Sequence, residues 1–519
     1  MSHVPHADSD DLAQFGYNQK LDRSLGSFSS FAAGFSYISI LTGMFQTSYL
    51  GFLFAGPAFL WAWPIVFVGQ LMVALQFAEL SAHYPLAGSV YQWSKQVAGK
   101  SWAWNTGWMY LAAQIVTVPA VALGFQVILP QISPKFQLIK CTVSTADGST
   151  CADKNFPTYL DPAFAKNAII LGLVLVAFTT IVNMSGIRVT AMINNIGVAA
   201  ELIGAVLLIA LLIVNITRGP GILFKTAGTG VGHDWGWFGA LLIGAYMPLY
   251  VMYGFDTAGS LAEETSDPRR TAPRAVIRAL FTAGILGFLL IAAGEMAAGN
   301  TGAAFTNGLA SITKDVFGDT WGNLFLIDVV LAISVCCLAI HAASVRILFA
   351  MARDNNLPGA RRLAHVSGNA KVPVVPAILV GGISALILLF NWYNPAAFTI
   401  VISCGILFMY LAYLGVTIPL LQRRQAGWPG NLPDRKDGLF SLGKWAIITN
   451  VIAIAWGVTG CVNLLWPRAG FYGTKWYQQY GPIFAMALVV GAGLVIYYGF
   501  QQHRTGVLDE HRSAVPAGD

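Results

Sequence analysis

Residues 24–78 read SLGSFSSFAAGFSYISILTGMFQTSYLGFLFAGPAFLWAWPIVFVGQLMVALQFA and contain no Asp, Glu, Lys or Arg. An α-helix needs about 20 apolar residues to cross the hydrocarbon core of a bilayer. This uncharged run of 55 residues is therefore long enough for two membrane spans. Residues 101–134, 372–422 and 445–467 are also free of charge. The sequence thus predicts a polytopic membrane protein.

The composition of the whole chain supports this class. Of its 519 residues, 10% are charged and 56% are hydrophobic, whereas soluble globular proteins are about 25% charged. A surface with so few charges must face lipid. Residues 1–27 are polar and lack the apolar core of a secretory signal, so we expect the first span to remain in the protein. The net charge of +6 comes from basic residues in short loops, which does not indicate nucleic-acid binding.

Hydropathy and turn residues predict an all-α fold with twelve transmembrane helices. With the N-terminus in the cytoplasm, the cytoplasmic segments carry 20 of the 30 Lys and Arg residues and the outer segments carry nine. This bias follows the positive-inside rule and predicts that both termini are cytoplasmic. The predicted spans are 28–54, 57–80, 103–130, 164–183, 191–215, 237–262, 276–299, 323–351, 373–391, 396–421, 443–466 and 481–501.

The chemistry-bearing residues indicate neither a metal site nor an enzyme. No spacing of Cys, His, Asp or Glu is typical of a metal centre, and no phosphate-binding loop or nucleophile elbow occurs, so we expect no cofactor. Cys141 and Cys151 lie in the long outer loop 131–163. Either a disulfide or two free thiols is compatible with that position.

Two of the predicted spans contain residues that interrupt helices. The first has Gly43 in a Ser/Thr-rich segment, and the sixth has Pro248 and Gly254 with Asp256 beside them. A backbone break at membrane depth survives only where it lines a cavity or is buried in protein. Breaks at matching places in two halves of a chain indicate a transporter's binding site. We therefore predict breaks at Gly43 and Gly254; the alternative is that these glycines only allow close helix packing.

Several long motifs resemble those of one superfamily. Residues 253–274, YGFDTAGSLAEETSDPRRTAPR, resemble the signature of the amino acid–polyamine–organocation superfamily. Residues 12–23 (LAQFGYNQKLDR), 78–93 (AELSAHYPLAGSVYQW) and 352–358 (ARDNNLP) resemble the branch that carries amino acids, γ-aminobutyrate and choline. The similarity extends over about residues 12–502.

The resemblance implies a LeuT-like fold, in which ten helices form a 5+5 inverted repeat and helices 1 and 6 are discontinuous. The ten-helix transport core would be residues 28–421, with repeats at about 28–215 and 237–421. Residues 443–501 would add two C-terminal helices. Residues 1–27 and 502–519 would form a cytoplasmic N-terminal segment and a cytoplasmic tail.

The resemblance also implies secondary active import of an amino acid or related amine across the cytoplasmic membrane by alternating access, driven by a proton or another cation. The expected partners are then the small-molecule substrate, the coupling ion and the bilayer. A γ-aminobutyrate permease, a choline- or polyamine-type cation transporter and an amino acid exchanger remain open. A channel is the alternative outside transport, although two paired breaks favour alternating access.

The substrate site implied by the resemblance is built from both breaks. The substrate carboxylate would rest on backbone N–H groups of the first break, and its amine on carbonyls of both breaks. Phe255 matches an aromatic residue that gates the site from outside. The matching positions are Thr42, Gly43 and Met44 (preceded by Ile40 and Leu41) for the carboxylate, and Ser39, Ile40, Tyr253, Gly254, Phe255 and Asp256 for the amine.

Two acidic residues lie at membrane depth, where an ionisable side chain is costly unless it is paired or functional. Glu201 stands where several members of the resembled family carry a Lys whose amine replaces a bound sodium ion. Because this chain departs from that pattern, Glu201 is either the proton carrier for coupling or a hydrogen-bonded structural residue. Asp256 is placed to pair with a substrate ammonium group or to cap the second half of helix 6.

Further acidic residues lie near the predicted cytoplasmic ends of spans. Glu79 ends the second span, and we expect it to pair with Lys95 or Arg346 in a structural or gating contact. Glu263 begins the inner loop after the sixth span, where pairing with residues such as Arg269 would make an inner gate. A solvated loop charge is the alternative for Glu263.

Overall fold

The computed structural model describes residues 15, 26–141, 161–231, 233–299, 301–368, 372–394, 396–430, 438–504 and 506–511. Within these ranges all regular structure is helical, which confirms the all-α prediction. The α-helices are α1 (Ser27–Ile38), α2 (Ile40–Ala55), α3 (Ala62–His83), α4 (Ser89–Ala98), α5 (Lys100–Ala122), α6 (Gly124–Ile132), α7 (Pro162–Met184), α8 (Ile187–Val214), α9 (Gly236–Gly244), α10 (Tyr246–Val251), α11 (Thr257–Ser260), α12 (Pro268–Ala297), α13 (Thr301–Arg353), α14 (Ala360–Leu363), α15 (Val374–Phe390), α16 (Ala397–Gln425), α17 (Ala446–Leu465), α18 (Ala469–Tyr472), α19 (Trp476–Gln479) and α20 (Gly481–Ile496).

Apolar helices occur at every predicted span. In the described part of the chain, ten helical segments are long and apolar enough to cross a membrane. The apolar helices at the sixth and ninth predicted spans, Gly236–Val251 and Val374–Phe390, are shorter. The chain is therefore a multi-pass membrane protein, and the number of twelve crossings stays a prediction. The possible disulfide partner of Cys141, Cys151, lies outside the described residues.

The first apolar segment is broken at Ser39, between α1 and α2. Ser39 has φ 33° and ψ 96°, and positive φ is uncommon for a residue other than glycine. The prediction of a broken first helix is confirmed, but its predicted position at Gly43 is wrong. Gly43 lies one turn inside α2, where its N–H donates to the Ser39 carbonyl at 3.0 Å.

The second break lies between α10 and α11 and spans residues 252–256. Gly254 adopts a φ of 87°, which a residue without a Cβ reaches at little cost. Its N–H donates to the Tyr413 hydroxyl at 2.9 Å, so a side chain of α16 satisfies a backbone group that the broken helix leaves free. The predicted break at Gly254 is confirmed.

The two breaks pack directly against each other through their glycines. A Cβ added to Gly43 would overlap Val251 at the end of α10, and a Cβ added to Gly254 would overlap the ring of Tyr37 in α1. Each broken helix therefore carries a glycine that admits a side chain from the other. For Gly43, the alternative of close helix packing is the correct one.

The broken helices lie at the centre of the bundle. Almost every residue of α2 is buried, whereas only Pro482 and Gly493 are buried in α20. Around the centre, α12 packs on α3, α13 on α2 and α5, and α16 on α5 and α17. This arrangement surrounds both breaks with protein, as their unsatisfied backbone groups require at membrane depth.

We expect Gly254→Ala to destabilise the protein and to lower transport. The substitution imposes a positive φ on a residue with a Cβ, which costs about 1–3 kcal/mol, and it also displaces Tyr37. The thermal unfolding temperature of the detergent-purified protein measures the effect. Gly491→Ala in α20 is the matched control, since its Cβ meets no atom within 4 Å. Equal unfolding temperatures of the two variants would contradict the expected role of Gly254.

Candidate functional site

Helix α8 brings the side chain of Glu201 to the start of α2. Glu201 Oε1 accepts hydrogen bonds from Ser39 Oγ at 2.9 Å and from the Leu41 N–H at 3.1 Å. Glu201 is 1% exposed, and its Oε2 has no hydrogen-bond partner among the described residues. The first N–H groups of a helix lack partners within it and carry a partial positive charge. A carboxyl group of the protein itself therefore occupies the start of this half-helix.

The residues expected to bind a substrate carboxylate lie in three different surroundings. Ile40 and Leu41 direct their backbone toward Glu201. Thr42 and Gly43 line a cavity between the two breaks. Met44 is buried in α2 outside that lining.

A small cavity lies between the breaks. Helices α1, α2, α5, α10 and α13 surround it together with the second break. Of the predicted site residues, Thr42, Gly43 and Tyr253 belong to its lining, and Ser39, Gly254, Phe255 and Asp256 lie nearby outside it. The lining consists of Tyr37, Ile38, Thr42, Gly43, Thr117, Val121, Tyr250, Tyr253, Cys336 and Ile340.

Sequence reasoning did not assign the walls that α5 and α13 contribute to this cavity. Thr117 and Val121 come from α5, and Cys336 and Ile340 come from α13. The two residues of each pair are four apart and therefore share one face of their helix. An apolar helical face has the same periodicity whether it meets lipid, protein or a cavity. No local signal in the sequence could therefore have distinguished these positions.

The side chain of Asp256 is held by hydroxyl groups. Its carboxylate accepts hydrogen bonds from Tyr110, from Tyr413 at 2.5 Å and from Ser89 at 3.2 Å. These hydroxyls come from α5, α16 and α4, so Asp256 ties the second break to three other helices. Asp256 stands at the N-cap position of α11, but its side chain makes no hydrogen bond to the backbone of that helix. The expectation that this side chain caps the helix is wrong.

Phe255 lies against aromatic rings outside the cavity. Its ring centroid is 6.0 Å from that of Phe77 and 5.5 Å from that of Tyr413. The aromatic residue that reaches the cavity from this break is Tyr253, whose hydroxyl lies 3.3 Å from Thr117 Oγ1. Phe255 does not line the cavity, and its gating role stays a prediction.

Glu79 forms a buried ion pair at the end of α3. Its carboxylate lies 2.5 Å from a guanidinium nitrogen of Arg424, at the end of α16. It also accepts hydrogen bonds from Ser441 Oγ at 2.9 Å and from the Leu442 N–H at 3.0 Å. The prediction of Lys95 or Arg346 as its partner is wrong, because the fold brings the end of α16 closer.

Glu263 also pairs with a residue distant in sequence. Its carboxylate lies 2.9 Å from Arg353 at the end of α13, with side-chain exposures of 1% and 2%. It accepts a further hydrogen bond from the Ala87 N–H at 3.0 Å. Arg269, an expected partner, instead donates to the His83 carbonyl at 3.2 Å.

Two more ion pairs lie at the same end of the bundle. Arg346 forms a two-point contact with Glu264, at 2.8 and 3.0 Å, and Lys95 lies 2.5 Å from Asp354. Burial alone opposes the charged form of Asp354, but Lys95 and Arg353 outweigh it and hold the pKa of Asp354 below its usual value. We call the pairs Glu79–Arg424, Glu263–Arg353, Glu264–Arg346 and Lys95–Asp354 the gate cluster.

A second cavity, which we call the vestibule, adjoins the gate cluster. It lies between α1, α8, α11 and α13 and includes Arg346 in its lining. Asn194 and Thr257 also line it, and Asn194 Oδ1 and Thr257 Oγ1 are buried without a hydrogen-bond partner among the described residues.

We expect Arg353→Ala to destabilise the protein strongly. The substitution leaves the carboxylate of Glu263 buried without its cation, and breaking a buried pair in this way costs about 3–5 kcal/mol. The thermal unfolding temperature in detergent measures the loss. Asp319→Asn is the control, because Asp319 pairs with Lys314 at the surface with its side chain 86% exposed. Similar unfolding temperatures for both variants would show that the buried pair contributes no stability.

Comparison with known proteins relates the whole membrane region to one family. A family model described as amino acid permease matches residues 25–493. The amino-acid permease BAT1 of Arabidopsis thaliana is 27% identical over 490 residues, covering 90% of each chain. Its homolog from Oryza sativa subsp. japonica is 26% identical, covering 91% of this chain and 90% of the relative. The branched-chain amino acid permease BcaP of Bacillus subtilis is 26% identical over 381 residues, covering 72% of this chain and 76% of the relative. The chain therefore belongs to the amino acid permease family of the amino acid–polyamine–organocation superfamily.

Proposed function

We propose that this permease is a secondary active transporter that imports an amino acid or related amine across the cytoplasmic membrane by alternating access. The observation that carries the proposal is the cavity between two helix breaks. Membership of the amino acid permease family supports the substrate class.

The proposed architecture is a 5+5 inverted repeat of residues 28–215 and 237–421, followed by two helices at 443–501. The positions of the breaks support it, because each lies in the first helix of its half. The Lys and Arg bias supports cytoplasmic termini. With that orientation the gate cluster and the vestibule face the cytoplasm.

In the proposed site, the substrate carboxylate approaches the start of α2 at Thr42 and Gly43, with Met44 behind them. Carbonyl groups of Ser39, Ile40 and residues 253–256 receive the substrate amine. A half-helix start favours an anion, and exposed carbonyls favour a cation. The lining position of Thr42, Gly43 and Tyr253 supports this assignment.

Glu201 is the proposed coupling residue because its carboxyl group lies at the start of α2. A substrate carboxylate at Thr42 would share one half-helix start with the carboxylate of Glu201. Two negative charges at close range disfavour each other, so substrate binding promotes proton uptake by Glu201. The reciprocal statement also holds: a proton on Glu201 strengthens substrate binding. The chain then carries substrate and proton together.

The proposed inner gate comprises Glu79 and Glu263, and Phe255 is the proposed aromatic gate on the outer side. Glu79 joins the end of α3 to Arg424 of α16. Glu263 joins the segment after α11 to Arg353 at the end of α13. Separation of the gate cluster would connect the vestibule to the cytoplasm. The vestibule's unpartnered polar groups support its use as a hydrated exit.

Uptake into proteoliposomes tests the transport proposal. We expect an imposed inward proton gradient to drive accumulation of a labelled amino acid that saturates with concentration and is reduced by unlabelled competitor. Protein-free liposomes are the control. Conductance without saturation would instead indicate a channel, and exchange without net accumulation would indicate an exchanger. Uptake restricted to choline or polyamines would indicate a cation transporter and would contradict the carboxylate site at Thr42.

Substitution of Glu201 by Gln tests the coupling role. We expect proton-driven accumulation to fall by about tenfold, within the range of typical coupling free energies. Substrate binding, measured as a thermal shift, should persist and lose its dependence on pH, because Gln keeps the shape of Glu and mimics its protonated form. Glu295→Gln is the matched control, since Glu295 is also a buried carboxyl in a membrane helix, with 2% exposure. Unchanged accumulation by Glu201→Gln would remove Glu201 from coupling.

A further inference from the structure

A second acidic side chain, Asp328 of α13, contacts α8 one turn beyond Glu201. A Cβ added to Gly204 of α8 would overlap Asp328 Oδ2, so this carboxyl group rests directly on the backbone of α8. A Cβ added to Gly197 would overlap Val335 of α13 in the same way. Moving seven residues forward along α8 thus moves seven residues back along α13, so the two helices pack antiparallel.

Glu201 belongs to the face of α8 that makes these two contacts. Residues 197, 201 and 204 are spaced by four and three positions, which places them on one side of a helix. Gly204 is about 4.5 Å further along the helix axis than Glu201. The carboxyl groups of Glu201 and Asp328 are close enough to interact electrostatically. The two acids are therefore consecutive groups along one helix–helix interface.

Each of the two acids keeps one oxygen that the protein does not use. Asp328 Oδ2 and Glu201 Oε2 are buried without a hydrogen-bond partner among the described residues. A carboxyl group that served only to join two helices would hydrogen-bond to one of them, because an unpaired buried polar atom is costly. Cys336 of α13 also acts on Glu201, but its thiol donates to the Tyr37 carbonyl at 3.4 Å. The pair of unpartnered oxygens supplies a proton donor and a proton acceptor.

The order of groups along α8 gives this interface a direction. Asn194, seven residues before Glu201 on the same face, lines the vestibule. Asp328 lies on the other side of Glu201, two turns from Trp321, which is 63% exposed. Exposed Trp residues near the end of a membrane helix are typical of the membrane surface. Asp328 is only half-buried, and with cytoplasmic termini it lies toward the outer side.

We propose that Asp328 is the proton relay between the outer side of the membrane and Glu201. This inference rests on the proposed coupling role of Glu201 and adds the residue that supplies its proton. In the transfer, the O–H bond of protonated Asp328 breaks and an O–H bond forms on the Glu201 carboxylate, directly or through one water molecule. Asp328 is left as a carboxylate and takes up the next proton from the outer aqueous phase. Glu201 later releases its proton toward the vestibule.

Asp328→Asn tests the relay in proteoliposomes, with a labelled amino acid that the wild-type protein accumulates. Asn keeps the shape of Asp but has no carboxyl proton to transfer. We expect proton-driven accumulation to fall by at least about tenfold, since positioned proton-transfer groups typically contribute ~10²–10⁴-fold. Exchange of labelled for unlabelled substrate without a proton gradient should continue at the wild-type rate, because it needs no net proton transfer. Asp319→Asn is the matched control, an identical substitution on α13 at a side chain that is 86% exposed.

Further variants separate a relay from a structural role. Asp328→Glu restores a carboxyl group, and we expect it to recover accumulation that Asp328→Asn loses. Gly204→Ala displaces the Asp328 carboxyl without removing it, so it should also lower accumulation and preserve exchange; it gives the test if Asp328→Asn does not fold. Because the two acids act in series, Asp328→Asn combined with Glu201→Gln should lower accumulation no further than Glu201→Gln alone.

The outcomes separate this inference from the proposed function. Wild-type accumulation by Asp328→Asn would overturn the relay and leave the coupling role of Glu201 standing. Loss of exchange together with accumulation, without recovery in Asp328→Glu, would indicate a structural role and would also overturn the relay. Failure of the wild-type protein to accumulate substrate under a proton gradient would overturn both proposals. Lost accumulation with preserved exchange in Asp328→Asn, and neither effect in Asp319→Asn, would support both.

Discussion

The contact between Glu201 and the broken first helix is the constraint on which the centre of this permease depends. A helix start leaves N–H groups without partners, and at membrane depth no bulk water is present to satisfy them. Ser39 and Leu41 meet Oε1 of Glu201 there, across 160 residues of chain. The break, the start of α2 and the cavity beside it are therefore held by one carboxyl group from α8. Under the proposed coupling role, the residue that stabilises the break would also carry the proton.

The second break is stabilised by different chemistry. Tyr413 satisfies the Gly254 N–H and, with Tyr110 and Ser89, holds the carboxylate of Asp256. The two breaks then interlock, because Gly43 admits Val251 and Gly254 admits Tyr37. A change at one break must therefore be accommodated at the other. The proposed alternating access would therefore require both breaks to rearrange together.

The ion pairs at the helix ends were predicted only in part from the sequence. The sequence predicted an ion pair for Glu79 near one membrane face, and either an ion pair or a solvated loop charge for Glu263. It assigned the wrong partners, since loop neighbours such as Arg269 seemed nearest along the chain. The actual partners, Arg424 and Arg353, end helices far away in sequence. Proximity along a chain does not predict proximity between packed helix ends.

The sequence by itself determined the membrane class, the order of the apolar helices, the presence of two broken helices and the superfamily. These properties depend on local composition and on motifs within single segments, which need no knowledge of neighbours. Only the tertiary structure decided that the first break lies at Ser39 rather than Gly43, that Glu201 occupies the start of α2, and that Val121 and Ile340 line the cavity. The physical reason is that an apolar helical face has the same sequence pattern whether lipid, another helix or a cavity lies against it. Packing alone distinguishes these three environments.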